Sequence, residues 1–482
     1  MAGVAVSNGR EVVRSDWRGR WQLPVGSDTI LFVVKPRGWQ TPLGPDGLPR
    51  FYYRHKPSGS PEGLRFPGVA ATGPLPTSVD FPLQRSSEPN DFRVVLLADP
   101  QPYDLREVDF VARDVIAQLE GVDAAFALVL GDLVGDDLAL FEPVNRVFGR
   151  MGIPWWPVHG NHDLNFAALD DQHSDETWER VYGPTTYAFQ YGPAHFLVLD
   201  DVIYHGAVEG GGPGGYHGGL TPRQLEFARN YLAGIARDEL VVVALHVPLV
   251  ALGRGSGVHQ VPERGELLAL LSAHPHTLSL SGHTHMQAHY FLGREERFEG
   301  DEPHQHVTVG TVSGSWWRGA PDESGIPHTT MRDGAPNGFS WLRVDGTRTE
   351  VVFQAARRPA EEQIAIHAPE EIAAAEASAT EIVVNVFGGS ERTRVEMRFA
   401  PSGAWQPLRR VVRKDPGYRA LYERERELRP PEGWSLPPPN DSTHLWAGVL
   451  PAAPPPGTAL LEVRATEPSG RILTGRQLVR IR

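Results

Sequence analysis

Five apolar stretches of this chain run straight into short polar clusters. Residues 93–98 end in Asp99-Pro100-Gln101, residues 124–130 in Gly131-Asp132, and residues 153–158 lead to Gly160-Asn161-His162-Asp163. Residues 240–245 deliver His246, and residues 277–281 deliver Gly282-His283-Thr284-His285. Unbroken apolar runs of this length read as strands buried on both faces, as parallel sheets require. Between them the period changes to that of helices. Val108, Val111, Ala112, Val115, Ile116 and Leu119 keep i, i+3, i+4 spacing and predict a helix capped near Gly121. Leu138, Phe141, Val144 and Phe148 give a weaker one, and Thr221-Pro222-Arg223-Gln224 is a capping box with proline at the first helical position. The alternation predicts an α/β architecture, whose sites form at the carboxyl ends of its strands.

The flanks read differently. Residues 3–85 show short strands and turns and no helical period, which predicts a small β-sandwich over residues 1–88. The α/β part is expected over 89–357, closed by a hairpin around Asp345-Gly346. Beyond it, Val395, Met397 and Phe399, then Val479 and Ile481, alternate with polar residues, so 358–482 is expected to be a second β-sandwich. Its Pro-rich residues 429–440 and 451–457 read as surface loops. The expected class is therefore α/β, a central αββα-type sandwich flanked by two small all-β sandwich domains.

Composition excludes several functions. A net charge of −13 argues against binding nucleic-acid polymers, and the absence of cysteine excludes disulfide scaffolds, thiolate catalysis and Cys-based metal sites. The longest strictly apolar run, residues 124–130, falls far short of the roughly 20 needed to span a bilayer. The first residues enter a strand pattern at once, with neither a basic n-region nor an apolar h-region, so any leader is expected to be absent or removed.

The polar clusters carry the chemistry. Hard cations take carboxylate and amide oxygens, and borderline ones accept neutral imidazole as well. Asp99, Gln101, Asp132, Asn161, His246, His283 and His285 are too many ligands for one ion, but they suit two divalent ions about 3.5–4 Å apart. A single Asp or His after a strand is more often a cap or a satisfied core group. The joint order is the signal.

That order, D-x-Q, G-D, G-N-H-D, H and G-H-x-H, resembles the calcineurin-like metallophosphoesterases over about residues 92–353. The resemblance implies that Asp99, Gln101 and His285 hold one metal and Asn161, His246 and His283 the other, with Asp132 bridging. It implies that a hydroxide shared by the ions attacks phosphorus in line, and that His162 faces the substrate, oriented by Asp163. Gln101 stands where the commoner pattern has His. Its amide oxygen makes that site harder and favours manganese, magnesium or iron over zinc. Residues 3–9, 51–57, 315–319 and 442–446 also resemble a bacterial branch with a prealbumin-like N-terminal and a β-rich C-terminal domain, whose members are usually exported. The localisation expected from this is periplasmic or extracellular.

Other residues have competing readings. Gly210, Gly212 and Gly215 form G-x-G-x-x-G without the strand–helix context of a dinucleotide site, so residues 209–219 read as a loop or lid, with His205 and His217 as further candidates. In residues 313–338, Trp316 and Trp317 are candidates to stack on a base or sugar, Arg318 to pair with phosphate, and His328 to contact substrate. His159, His274, His276, His289, His304 and His306 read as structural. The function expected is a dinuclear hydrolase of small phosphoric esters. Diesters are favoured, because no Arg/Lys cluster stands ready for a dianionic phosphate. The alternatives are a phosphomonoesterase, such as a nucleotidase or sugar phosphatase, and a glycan- or surface-binding protein with a non-catalytic centre.

Overall fold

The first three apolar runs form parallel strands β1 (Asp91–Leu97), β2 (Phe126–Leu130) and β3 (Trp155–Val158), with Val94 opposite Phe126 and Ala127 opposite Trp155. A second sheet holds β4 (Tyr187–Tyr191), β5 (Ala194–Val198), β6 (Leu240–Ala244), β7 (Thr277–Ser281), β8 (Ala288–Leu292) and β9 (His304–Thr308). Its order is β4-β5-β6-β7-β9-β8, parallel from β5 through β9. The hairpin β10 (Gly338–Asp345) and β11 (Arg348–Ala355) completes the first sheet in the order β11-β10-β1-β2-β3. Aromatic rings join the sheets face to face. Phe126 lies 5.3 Å from Phe189 and 5.1 Å from Phe196, and Trp156 stacks on Phe189 at 4.0 Å. This computed structural model describes residues 1–208, 212–252, 259–431, 433–451 and 454–482.

Two compact units emerge: Met1–Thr284 with Tyr290–Thr308 and Trp341–Val351, and His285–His289 with Val309–Ser340 and Val352–Arg482. In the first unit the capping box at Thr221 forms as expected. The helix before Gly121 is shorter than its pattern predicts: it spans Leu105–Asp114, and Ile116–Gln118 continues as a 3₁₀ turn. The N-terminal β-region is one antiparallel sheet, ordered Val12–Arg14, Ala5–Ser7, Thr29–Val33, Tyr52–His55, with a two-stranded ribbon. Its apolar face is covered by the α/β part: Phe32 meets Phe227 at 5.7 Å, and Phe51 meets Trp156 and Tyr187 at 5.1 Å each. Two of the chain's three lysines are buried at this junction. Lys35 pairs with Glu88, and Lys56 with Asp28, Glu176 and Glu179. Breaking such a buried pair from one side costs about 3–5 kcal/mol, so the sheet is locked in place by charge as well as by packing.

In the second unit two sheets enclose Val395, Met397, Phe399, Val463 and Trp446, the sandwich that alternation predicted. The helix Pro416–Leu428 was not anticipated there. Only Tyr418 and Glu425 of it are buried, so no apolar stripe marks it, although Asp415-Pro416 supplies the N-cap and first-turn proline. Below it runs a buried chain of polar groups. Asp333 accepts from Gln287 N–H and meets His444 Nε2 at 3.1 Å, His444 Nδ1 meets Asn385 Oδ1, and the Asn385 amide donates to Asp415.

One buried histidine of the second sheet gives a pH prediction. His304 lies between Thr277 Oγ1 and Ser279 Oγ, at 2.8 and 2.7 Å, and burial pushes its pKa down to about 3. It is neutral in the fold, but the unfolded chain takes up a proton below about pH 6.5. Its contribution is therefore complete above pH 6.5 and is lost towards pH 3, by up to about 1.4 kcal/mol per pH unit. His304→Gln should melt below the parent at pH 7.5, with the gap narrowing at pH 5. A constant gap would show that the ring is not held neutral.

Candidate metal centre

The strand ends carry unusual backbone. Asp99, Gln101, Asp132 and His283 have φ of 45°, 40°, 51° and 72°, a region that costs a non-glycine residue about 1–3 kcal/mol and is found at functional sites. Local bonds hold it. Both Asp99 carboxylate oxygens accept from His283 N–H, at 2.9 and 3.0 Å, and Gln101 N–H donates to Asp132 C=O at 3.0 Å. The glycine of each motif is required by close approach. A Cβ on Gly131 would lie 2.2 Å from His246 Nδ1, one on Gly160 2.2 Å from Asp132 N, and one on Gly282 2.3 Å from Asp99 Oδ2.

These contacts bring six of the seven expected ligands together in the first unit. His246 Nδ1 donates to Leu130 C=O at 2.8 Å, which fixes the tautomer and leaves Nε2 facing Asn161 Oδ1 at 3.0 Å and Asp132 Oδ2 at 3.3 Å. Donor atoms of Asp132, His246 and His283 lie within 4.8 Å of one another. Gln101 is fully buried; its amide N–H donates to Tyr103 Oη at 3.2 Å, while Oε1 has no hydrogen-bond partner. Burial, with repulsion from Asp132, pushes the Asp99 carboxyl up. Burial acts the same way on Asp132, but His246 and His162 outweigh it and hold that carboxyl below the usual range. Two dry carboxylates, an orphaned amide oxygen and directed imidazole nitrogens form a strained set without cations, and they match the donors that hard and borderline divalent ions take. The residues fit two such ions.

His162 sits beside this set. Its N–H donates to Asp132 Oδ1 at 2.8 Å, and its Nδ1 meets Asp136 Oδ1 at 2.7 Å. Burial opposes the charged ring, but Asp132 and Asp136 raise its pKa to about 9. Asp163, the expected orienting partner, does not hold this ring. Asp163 is buried and turned inward, where it accepts from the N–H groups of Gly160 and Val134 at 3.0 and 3.3 Å. It ties the turn; Asp136 holds the ring.

His285 belongs to the second unit, where its Nδ1 donates to Gly314 C=O at 2.6 Å and Trp316 stacks on it at 4.1 Å. Also in that unit, Trp317 is buried, Arg318 is half-buried, and His328 spends its ring nitrogens on Thr330 and Glu425. His205 and His217 bond to each other at 2.6 Å on a surface hairpin. Gly210 of the glycine-rich stretch, like 209 and 211, lies outside the described residues. Sequence reasoning missed Asp136, Tyr103, Tyr216 and His259. Tyr103 meets His162 edge-on at 6.2 Å, Tyr216 meets His283 at 6.1 Å, and His259 Nδ1 lies 3.1 Å from His283 Nε2. Only Asp136, in the turn that begins at Asp132, carried a usable signal.

The chain matches the family model Calcineurin-like phosphoesterase over residues 92–287. It also matches the models for the N terminal of Calcineurin-like phosphoesterase over 1–70 and the C terminal over 306–472. No curated protein matches it. Among solved structures it is similar to the purple acid phosphatase PPD1 from yellow lupin (Lupinus luteus) seeds, with 14% identity, a TM-score of 0.41, and coverage of 73% of this chain and 67% of that one. With its N-terminal, central and C-terminal parts all matched, and with the motif residues converging at the strand ends, the chain belongs to the calcineurin-like phosphoesterases.

Proposed function

We propose that this metal-dependent phosphoester hydrolase acts on phosphodiesters. In this reading Asp99 and Gln101 hold one divalent ion, Asn161, His246 and His283 the other, and Asp132 serves both. When bound, two such ions acidify a water and neutralise charge on the phosphoryl oxygens. The chain's own groups do the rest. Leu130 C=O fixes the His246 tautomer, Asp99 ties the β1 end to the β7 end through His283 N–H, Asp132 and Asp136 favour the protonated His162 ring, and Asp136 aims it. The imidazolium then donates to the leaving oxygen or to an equatorial phosphoryl oxygen. Manganese fits best, because the Gln101 amide oxygen hardens one site.

One observation carries the diester preference. Among the described residues, the charged groups that most strongly perturb Asp99, Asp132, His162 and His246 are one another and Asp136, and none of them is a lysine or arginine. A terminal phosphate dianion calls for such a cation; a diester carries one charge and needs less. The test is turnover of bis(p-nitrophenyl) phosphate beside p-nitrophenyl phosphate, on chelated protein with and without Mn²⁺. Activity restored by Mn²⁺ and faster on the diester is the expected result. A monoester turned over far faster would overturn the preference and leave a phosphomonoesterase.

A further inference from the structure

Two tyrosines flank the centre. Tyr103 follows Gln101 by two residues and is 42% exposed. It is nevertheless firmly seated: its ring lies over Gly135, where a Cβ would come within 2.7 Å, its N–H donates to Glu107 at 2.7 Å, and its hydroxyl accepts from Gln101. Its ring stands edge-on to His162 at 76°. Tyr216 is half-buried on the strand Tyr216–Gly218, paired opposite Tyr204, and is edge-on to His283 at 83°. One ring therefore touches the Gln101 and His162 side and the other the His283 side. Rigid, partly exposed tyrosines recognise planar groups at low entropic cost, and stacking of this kind tolerates any ring with a π-face.

We propose that Tyr103 and Tyr216 are specificity residues that receive a planar aromatic ester group, so that the substrates are phosphodiesters of aryl or nucleobase-bearing alcohols rather than of small alkyl alcohols. This rests on the diester reading above.

The test keeps the leaving group constant. Methyl, phenyl and thymidine-5′ p-nitrophenyl phosphates release the same nitrophenolate, so their kcat/KM ratios report only the retained group. The parent should prefer the phenyl or thymidine ester by about 10-fold or more over the methyl ester, mainly through KM, as two ring contacts imply. The phenyl and thymidine arms separate an aryl from a nucleobase preference. Tyr103→Leu and Tyr216→Leu should each move the aromatic-to-methyl ratio towards one, and Tyr103→Phe should restore most of it. Metal content measured on each variant shows whether the centre has stayed intact. A parent without aromatic preference, or variants with two ions and an unchanged ratio, would overturn the proposal. If only monoesters are turned over, the diester reading has failed alone. Inhibition by phenylphosphonate against methylphosphonate then applies the same test to the tyrosines, and equal inhibition constants reject their role.

Discussion

Asp132→Asn should lower turnover of any phosphoester by about 10³-fold or more and bring bound Mn²⁺ well below two ions per chain, with the fold retained. Both oxygens of the Asp132 carboxylate are engaged. Oδ1 accepts from His162 N–H at 2.8 Å, and Oδ2 faces His246 Nε2 at 3.3 Å. An amide keeps the volume but removes the negative charge set against both ions and puts an N–H₂ where one oxygen must accept. A loss of about 4 kcal/mol in transition-state stabilisation corresponds to three decades in rate. Elemental analysis after dialysis and kcat on bis(p-nitrophenyl) phosphate check the two halves of the prediction, and circular dichroism checks the fold. A variant that retains two ions and parental kcat would show that Asp132 does not serve both sites.

How much of this was legible in the sequence follows from what each residue depends on. The strand ends were readable because a strand buried on both faces must be an unbroken apolar run, and a ligand after it must be polar. The motif glycines were readable as well: Gly131, Gly160 and Gly282 leave no room for a Cβ against His246, Asp132 and Asp99. The partner of His162 was not. Asp163 is its neighbour in sequence, but the turn sends that side chain inward to Gly160 and Val134, while Asp136, at φ 69°, arrives from the turn after β2. The strands and turns of the N-terminal region were readable, but not their arrangement as one sheet. Part of its core is supplied by Trp156, Tyr187 and Phe227, which no local pattern reveals. Tyr103, Tyr216 and His259 come from loops or a short hairpin strand, where position depends on tertiary packing and periodicity carries no information.

The division of labour between Asp136 and Asp163 yields a second large effect. His162→Ala should lower kcat by about 10²–10⁴-fold for diesters with poor alkoxide leaving groups, and much less for p-nitrophenyl esters, which need no proton. Asp136→Asn should reproduce a part of that loss with the same leaving-group dependence and two ions still bound, because it disturbs only the ring's orientation and charge. On the His162→Ala background it should add nothing, since both changes remove one device. Asp163→Ala should behave differently. It leaves two buried N–H groups without an acceptor, at about 1–3 kcal/mol each, so melting temperature and metal retention should fall together whatever the leaving group. Kinetics over a leaving-group series, with melting and metal content on the same preparations, separate the cases. If Asp136→Asn left every rate unchanged and Asp163→Ala reproduced the leaving-group dependence of His162→Ala in a stable protein, Asp163 would be the partner that acts during turnover.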